Sequence, residues 1–480
     1  MDLQYLLCGF GPEGLTSRYL QLPNLRRIRG IHRRRFRTNG SKVAPKGPKP
    51  KAKRAGRRHL PVGGGKYTVG CVDLMSDYSV KGTFIRLYYP TNSKDVYKRE
   101  VQWPLWLPRK QYGHGYAYFR RKNMKVFGTI MNWLGGDVYV PVLWQAPFID
   151  SNDVFPVIVF THGLGGNRTT YSTLCSDIAS HGYIVAVLEH RDGSASTTYC
   201  FKENSADKNL TLVEYNSESE NSSDEGVISP ISELPSPTLQ QNTGFQEQWL
   251  LYDRQEKEDD FGIRNKQVYM RVEEIRRTVD LLEALNAGKE VRNVLGLHFD
   301  LRQLKGCMDL NRVAVVGHSF GGATTIAALA LEKRFRCGVA LDSWMLPLDE
   351  DLYKKVDQPL LLINTETFQW PDNVHDMYKL DVNNKRNDRV LITIRGTCHQ
   401  SHSDFQFFVP SKLARLLELR HALSPKIAME INNKATLGFL SKHLDIPDED
   451  HHENLLLGEH PLIILGTNLD VTADDQVLPV

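Results

Sequence analysis

The chain has 480 residues, 41% hydrophobic and 24% charged; this composition suits a soluble globular protein of one large domain or two ordinary ones. The net charge of +4 hides an asymmetry: residues 1–60 carry 16 Lys/Arg against only Asp2 and Glu13, and the remaining 420 residues carry a net −10. A nucleic-acid role would therefore rest on the first 60 residues alone, seven scattered Cys without a CxxC pair argue against a disulfide framework or a zinc site, and no run of 18 apolar residues predicts a membrane-spanning helix.

The opening stretch MDLQYLLCGFGPEG places its apolar run after Asp2 rather than after a basic region, so no secretory signal is expected, and residue 2 is not the Gly that myristoylation needs. Its Arg-rich, acid-poor character has a loose likeness to organellar transit peptides. Residues 38–65 are rich in Lys, Pro and Gly and too poor in core residues to fold. Residues 1–65 are thus expected to be a basic disordered tail, with order beginning near Lys66.

KYTVGCVDLM (66–75) and TFIRLYYP (83–90) predict two strands that pair as a hairpin. Residues 103–134 interleave aromatic and apolar side chains with Arg and Lys and contain no acid. Such a mixture suits a surface lying among lipid headgroups, with Trp103, Trp106, Phe119 and Trp133 as interfacial contacts. The competing reading is a helix packed on a sheet with a solvated basic edge.

VIVFTHG (157–163), YIVAVLEH (183–190), RVAVVGHS (312–319), CGVALDS (337–343), PLLLINTE (359–366) and VLITIRGT (390–397) are near-continuous apolar runs. They predict strands of a parallel sheet buried on both faces. Residues 203–245, acidic and rich in Ser and Pro, predict a disordered surface insertion. Val268, Val272, Ile275, Val279, Leu282 and Leu285 recur at spacings of three and four and predict a helix over 268–285. Two early strands followed by about six parallel ones, with helices on both faces, define the expected fold: α/β, of the α/β-hydrolase type.

Gly317-His318-Ser319-Phe320-Gly321 lies between the strand of 312–316 and a small-residue helix that opens at Gly322 and runs to about Leu331. G-x-S-x-G alone is a weak signal. Between a buried strand and a helix it predicts a sharp turn that exposes Ser319 as a nucleophile. A serine hydroxyl needs a base, and His399 follows the last strand directly, with His402 three residues on. The acid that orients the base should lie between them, and two strand ends offer one: Asp342 and Glu366. Position leaves these two even. An oxyanion hole needs two N–H donors, for which Phe320 and, in the glycine-rich stretch THGLGGNR (161–168), Leu164 are the candidates.

FTHGLGGNRTTYSTLCSDIASHGYIVAVLEHRDGSAS, GHSFGGAT, RFRCGVALDSWMLPL, PLLLINTETFQ and ITIRGTCHQSHSDF resemble the platelet-activating factor acetylhydrolases, a family of calcium-independent phospholipases A2. The resemblance spans about 66–445 apart from the insertion, leaving 446–480 as a C-terminal extension. It implies Ser319 as nucleophile, Asp342 as acid, His399 as base, and the Leu164 and Phe320 amides as oxyanion hole. It also implies the reaction: hydrolysis of the sn-2 acetyl or short or oxidised acyl ester of a phospholipid, giving a lysophospholipid and a short acid, without cofactor or metal. A carboxylesterase or lipase of wider scope and an inactive lipid-binding protein are the alternatives. The expected partners are the phospholipid and the surface of a membrane or lipid particle, with no specific nucleic acid. The basic tail matches neither the secretory nor the myristoylation signal seen in the family. Asn167-Arg168-Thr169 is a glycosylation sequon inside the proposed oxyanion loop. With the odd Cys count, this favours a cytoplasmic, peripherally membrane-associated protein over a secreted or organellar one.

Overall fold

A computed structural model describes residues 57–93, 96–97, 102–203, 244–384, 388–410, 414, 419–447 and 452–470. The expected basic tail up to residue 56, nearly all of the acidic insertion and residues 471–480 lie outside the described residues.

Twelve strands are described: β1 Thr68–Met75, β2 Phe84–Thr91, β3 Leu143–Trp144, β4 Phe155–Thr161, β5 Ile184–Leu188, β6 Thr197–Glu203, β7 Phe245–Leu251, β8 Met308–His318, β9 Cys337–Leu341, β10 Leu360–Thr365, β11 Arg389–Ile394 and β12 Ile463–Leu465. Ten form one sheet in the order β12-β11-β10-β9-β8-β4-β5-β2-β1-β3, and β6 and β7 form a separate antiparallel pair. The block from β11 to β5 is parallel throughout. The β1–β2 hairpin adds to it antiparallel, with Met75 opposite Phe84.

Among the described residues nine helices accompany the strands: α1 Lys110–Phe119, α2 Met124–Gly135, α3 Ser172–Ser180, α4 Phe261–Asn286, α5 Phe320–Leu331, α6 Glu350–Lys355, α7 Pro371–Tyr378, α8 Phe405–Phe408 and α9 Pro425–His443. The period-2 alternation of side chains explains the apolar runs. Val157 and Val159 of β4 point into one core, with Val272 and Ile275 of α4 and Ile326 of α5. Ile158 and Phe160 point into the other, with Leu174 of α3 and Met429 of α9. A strand covered on both sides has no polar face to show. The α4 stripe predicted at 268–285 is buried at all six positions. Asp260 starts that helix by accepting a hydrogen bond from Ile263 N at 3.0 Å.

Packing extends past the expected 66–445 span on both sides. Leu60 is buried and its N–H donates to Tyr139 O at 2.9 Å, while β12 closes the sheet edge against β11. The insertion leaves from the open end of the β6–β7 pair, where Glu203 faces Phe245. β3, β6, β7 and β12 were not predicted; β3 and β12 are too short to carry a pattern, and β6–β7 bounds the polar insertion.

Trp103 and Trp106 correct the interfacial expectation. Both are fully buried, Trp103 donating to Val96 O at 3.2 Å and Trp106 to Asp404 Oδ2 at 3.0 Å. An indole that is both enclosed and hydrogen-bonded is core, not membrane anchor.

Truncating the α4 stripe tests this packing. Ile275→Ala should cost about 2–5 kcal/mol in urea unfolding, whereas Glu273→Ala, which removes a surface ion pair to Arg276, should cost under about 1 kcal/mol. Equal costs would mean that α4 does not pack as described.

Candidate active site

The carboxyl ends of β4, β8, β9 and β11 converge, which is where an open α/β sheet places its site. Between the end of β8 at His318 and the start of α5 at Phe320 stands one residue, Ser319, at φ 60° and ψ −118°. A non-glycine residue there stores roughly 1–3 kcal/mol of strain. Its backbone is pinned: Ser319 N donates to Leu341 O at 2.8 Å, and Ser319 O accepts from Gly322 N at 2.8 Å and Trp344 N at 3.2 Å. The flanking glycines are required by contact. A Cβ on Gly317 would lie 2.2 Å from Gly321 O, and one on Gly321 would lie 2.1 Å from Thr161 O.

Ser319 Oγ lies 3.0 Å from His399 Nε2, and His399 Nδ1 lies 3.0 Å from Asp342 Oδ2. Asp342 is fully buried and at φ 43°. Both its oxygens are engaged by Thr365, whose N–H donates to Oδ1 and whose hydroxyl donates to Oδ2, each at 2.6 Å. With Nδ1–H donated to the carboxylate, Nε2 is free to accept from the Ser319 hydroxyl. Phe368 stacks on the His399 ring at 3.7 Å and fixes its plane.

The structure separates the two candidate acids. Glu366 turns away from His399 and accepts from Gly396 N instead. His402 does not reach Ser319; its Nε2 lies 3.7 Å from Asp342 Oδ2, and burial pushes its imidazole down to about 4.

His318 and Tyr171 were not singled out in the sequence. Gly163 N–H donates to Tyr171 Oη at 3.1 Å, and that hydroxyl lies 2.8 Å from His318 Nδ1, so one chain of hydrogen bonds ties the 162–166 loop to the serine turn. Burial, with His399 and His402 nearby, holds His318 well below the usual imidazole range. His318, Asp342 and His399 offer ligand-type atoms within 4.8 Å of one another. Those of Asp342 and His399 are committed to Thr365, Ser319 and each other, and His318 Nδ1 to Tyr171.

In the glycine-rich loop the amides around Leu164 are taken: Gly165 N by Ser194 O at 2.8 Å, Gly166 N by Gly163 O at 2.9 Å, and Asn167 N by Thr170 Oγ1 at 3.0 Å. Among the described residues neither Leu164 N nor Phe320 N has an acceptor in the protein. Asn167 is fully buried, with its Nδ2 donating to Tyr116 Oη at 2.9 Å.

A cavity of about 220 Å³ opens on Ser319 and His399. Its lining includes Leu164, Trp344, Phe119 of α1, and Phe127 and Met131 of α2, with Arg120 and Lys122 also present. Phe119 is thus a cavity wall packed on the loop, its ring 2.4 Å from where a Cβ on Gly165 would sit. Trp133 alone of the four proposed interfacial residues is open to solvent, at 74% exposure, beside exposed Val126, Phe127 and Ile130 on α2.

A strained serine between strand and helix, in hydrogen-bond contact with a histidine that an aspartate orients, marks a serine hydrolase of the α/β-hydrolase class. A solved ferulic acid esterase from Streptomyces cinnamoneus shares the fold at a TM-score of 0.53 and 13% identity, over 85% of this chain and 99% of that one. Residues 52–461 match the family described as platelet-activating factor acetylhydrolase, isoform II, and the chain belongs to that family. It is 39% identical to the platelet-activating factor acetylhydrolase of Canis lupus familiaris over 87% of this chain and 85% of that protein. Against the Bos taurus protein of the same name it is also 39% identical, over 88% and 86%. A putative phospholipase A2 of Schizosaccharomyces pombe is 25% identical over 82% and 89%.

The depressed His402 has a pH consequence. Its folded value of about 4 lies below the ordinary 6.5, so its contribution is intact above pH 6.5 and is lost as pH falls towards 4, by at most about 3 kcal/mol. Unfolding free energy measured at pH 7 and pH 5 should therefore fall less in His402→Gln than in the parent; an equal fall would show that His402 stays accessible to protons.

Proposed function

We propose that the chain hydrolyses, without calcium, the sn-2 acetyl or short or oxidised acyl ester of platelet-activating factor and related phospholipids, giving a lysophospholipid and a short carboxylic acid. The observation that carries this is the Ser319–His399–Asp342 relay opening on a small, largely apolar cavity in a chain of this family. Ser319 Oγ attacks the ester carbonyl while His399 Nε2 takes its proton. Asp342, held by Thr365, stabilises the imidazolium and keeps its orientation. The Leu164 and Phe320 amides receive the oxyanion. His399 then protonates the departing glycerol oxygen, and water, activated by the same base, releases the acid from Ser319. A cavity of about 220 Å³, below the roughly 300–1,000 Å³ of most ligand sites, favours a short acyl group. An intact relay speaks against the inactive lipid-binding alternative.

The enzyme meets its lipid peripherally, through α2. Phe127, Met131 and Leu134 face the cavity, while Val126, Ile130 and Trp133 form an exposed apolar face on the same helix. Lys122 and Lys125 flank it, so apolar side chains can enter a lipid surface where cations meet phosphate. No helix among the described residues is long and apolar enough to cross a membrane. A cytoplasmic location is supported by Asn167, which is fully buried and where a glycan would displace the hydrogen bond to Tyr116.

The reaction is tested with a phosphatidylcholine series varying only the sn-2 chain, in chelator. Acetyl and short chains should be cleaved and long ones spared. Ser319→Ala and Asp342→Asn should each lose on the order of 10⁴-fold while staying folded, and Glu366→Gln should be mild. Crippling by Glu366→Gln with Asp342→Asn tolerated would sink the acid assignment.

For the surface, Ile130→Ser with Trp133→Ser should weaken binding to anionic vesicles yet barely change hydrolysis of a soluble short-chain ester. Trp106→Ser, which breaks the core, should reduce both together. Parallel losses in the Ile130/Trp133 variant would refute the lipid-facing role of α2.

A further inference from the structure

The two proposed oxyanion donors sit on different elements, Leu164 on the loop after β4 and Phe320 on the first turn of α5. One buried side chain reaches both. Arg271 of α4 is fully buried. Its Nη1 donates to His162 O at 2.6 Å, at the point where β4 gives way to the loop. Its Nη2 donates to Ser194 Oγ at 2.6 Å and its Nε to the same oxygen at 3.1 Å. Ser194 in turn accepts Gly165 N–H on its carbonyl at 2.8 Å, so the guanidinium grips the loop on both sides of the Leu164 amide. The guanidinium carbon also lies 4.4 Å from the centre of the Phe320 ring.

Asp192 fixes the guanidinium from behind: its Oδ2 accepts from Arg271 Nε at 3.1 Å, both side chains being fully enclosed. Its other oxygen accepts from Ser194 N at 3.1 Å and from the Ser194 hydroxyl. Gln267, one turn earlier on α4, donates to Asp192 O at 3.1 Å. A second residue of the same helix, Glu274, lies 2.5 Å from His190 Nδ1, and His190 N–H donates to His162 Nε2 at 3.1 Å. The helix thus holds His162 at its carbonyl and at its ring.

Arginine suits this place because its planar fork can bond a carbonyl, a hydroxyl and a carboxylate while presenting a face to an aromatic ring. Lysine offers one point charge and no such fork. We propose that Arg271 is a positioning residue that sets the spacing of the two oxyanion donors, acting through His162, Ser194 and Phe320 without touching substrate. This rests on the reading of the Leu164 and Phe320 amides as that hole.

The test uses the full chain and a short-chain trifluoromethyl ketone. Ser319 Oγ adds to the ketone carbon, its proton passes to His399, and the carbonyl oxygen becomes an oxyanion whose titration fluorine NMR follows. In the parent the adduct should remain ionised well below the ordinary alcohol range. In Arg271→Met it should titrate at least about one pH unit higher, and kcat on a soluble short-chain ester should fall about 10- to 100-fold with KM little changed. Arg271→Lys should fall between. Ser194→Ala, which deletes one hydroxyl of the clamp, carries the same expectation in weaker form and decides the matter if Arg271→Met does not fold. A parent adduct that is not held ionised would overturn the oxyanion reading itself. A parent adduct held ionised, with titration unmoved in the folded variants, would leave that reading standing and overturn the role of Arg271.

Discussion

Backbone meets backbone where β4 ends and α5 begins, and the site depends on that contact. Gly321 leaves no room for a Cβ against Thr161 O, and Gly163 approaches His318 O and the Ser319 Cβ closely enough that its own Cβ would lie 3.1 Å from each. With side chains removed from the crossing, the serine turn and the glycine-rich loop stand in direct contact. The cost is conformational. Ser319 and Asp342, neither a glycine, both sit at positive φ, a strain that persists only where neighbours over-determine it. Here they do: Leu341 O and Trp344 N hold Ser319, and Ile363 O and Thr365 hold Asp342.

Beneath the loop lies a second, ionic layer of support. Arg168, next to Asn167, bonds Asp73 of β1 at 2.8 Å and also Glu189 at the end of β5. Arg86 of β2 bonds Asp73 from the other side at 2.6 Å. Burial alone would raise the Asp73 carboxyl, but Arg168 and Arg86 reverse this and hold it at about 2. Glu189 further accepts from Tyr112 of α1 at 2.9 Å and Thr198 of β6 at 2.6 Å. Removing one member of such a set would strand the others in a dry interior. The set therefore ties the loop, the cavity helix α1 and three strands of the sheet to a single arrangement.

The segment 103–134 shows how one composition serves two purposes. Trp103 and Trp106 precede α1 in an extended stretch whose backbone pairs with Val138 and Val140, so both indoles turn inward. α2 packs along α1, with Asn132 Nδ2 donating to Lys110 O at 3.1 Å; beyond that contact one stripe closes the cavity and the next, one residue round, meets solvent. Placing the cavity wall and the proposed lipid-facing stripe on the same two turns gives a short path from a lipid surface to Ser319.

The sequence by itself determined the strand order of chemistry and most of the sheet. Runs such as VIVFT and RVAVV predicted two-faced strands, the spacing of the α4 stripe predicted a helix, and Ser319 and His399 were marked by their place at strand exits. Asp342 and Glu366 stood equal by position; resemblance to a family favoured Asp342, and only the structure showed which carboxylate faces the imidazole, because that depends on the backbone turn at φ 43° and on Thr365 at the end of the next strand, β10. Nothing in the sequence pattern could tell the inward tryptophans from the outward one, since hydrophobicity is the same and exposure is set by what packs opposite. Nor could it show Arg271, Asp192 and Tyr171 around the loop. Their roles arise from distances across the fold, between residues far apart in the chain, and pairing at that range leaves no local periodicity to read.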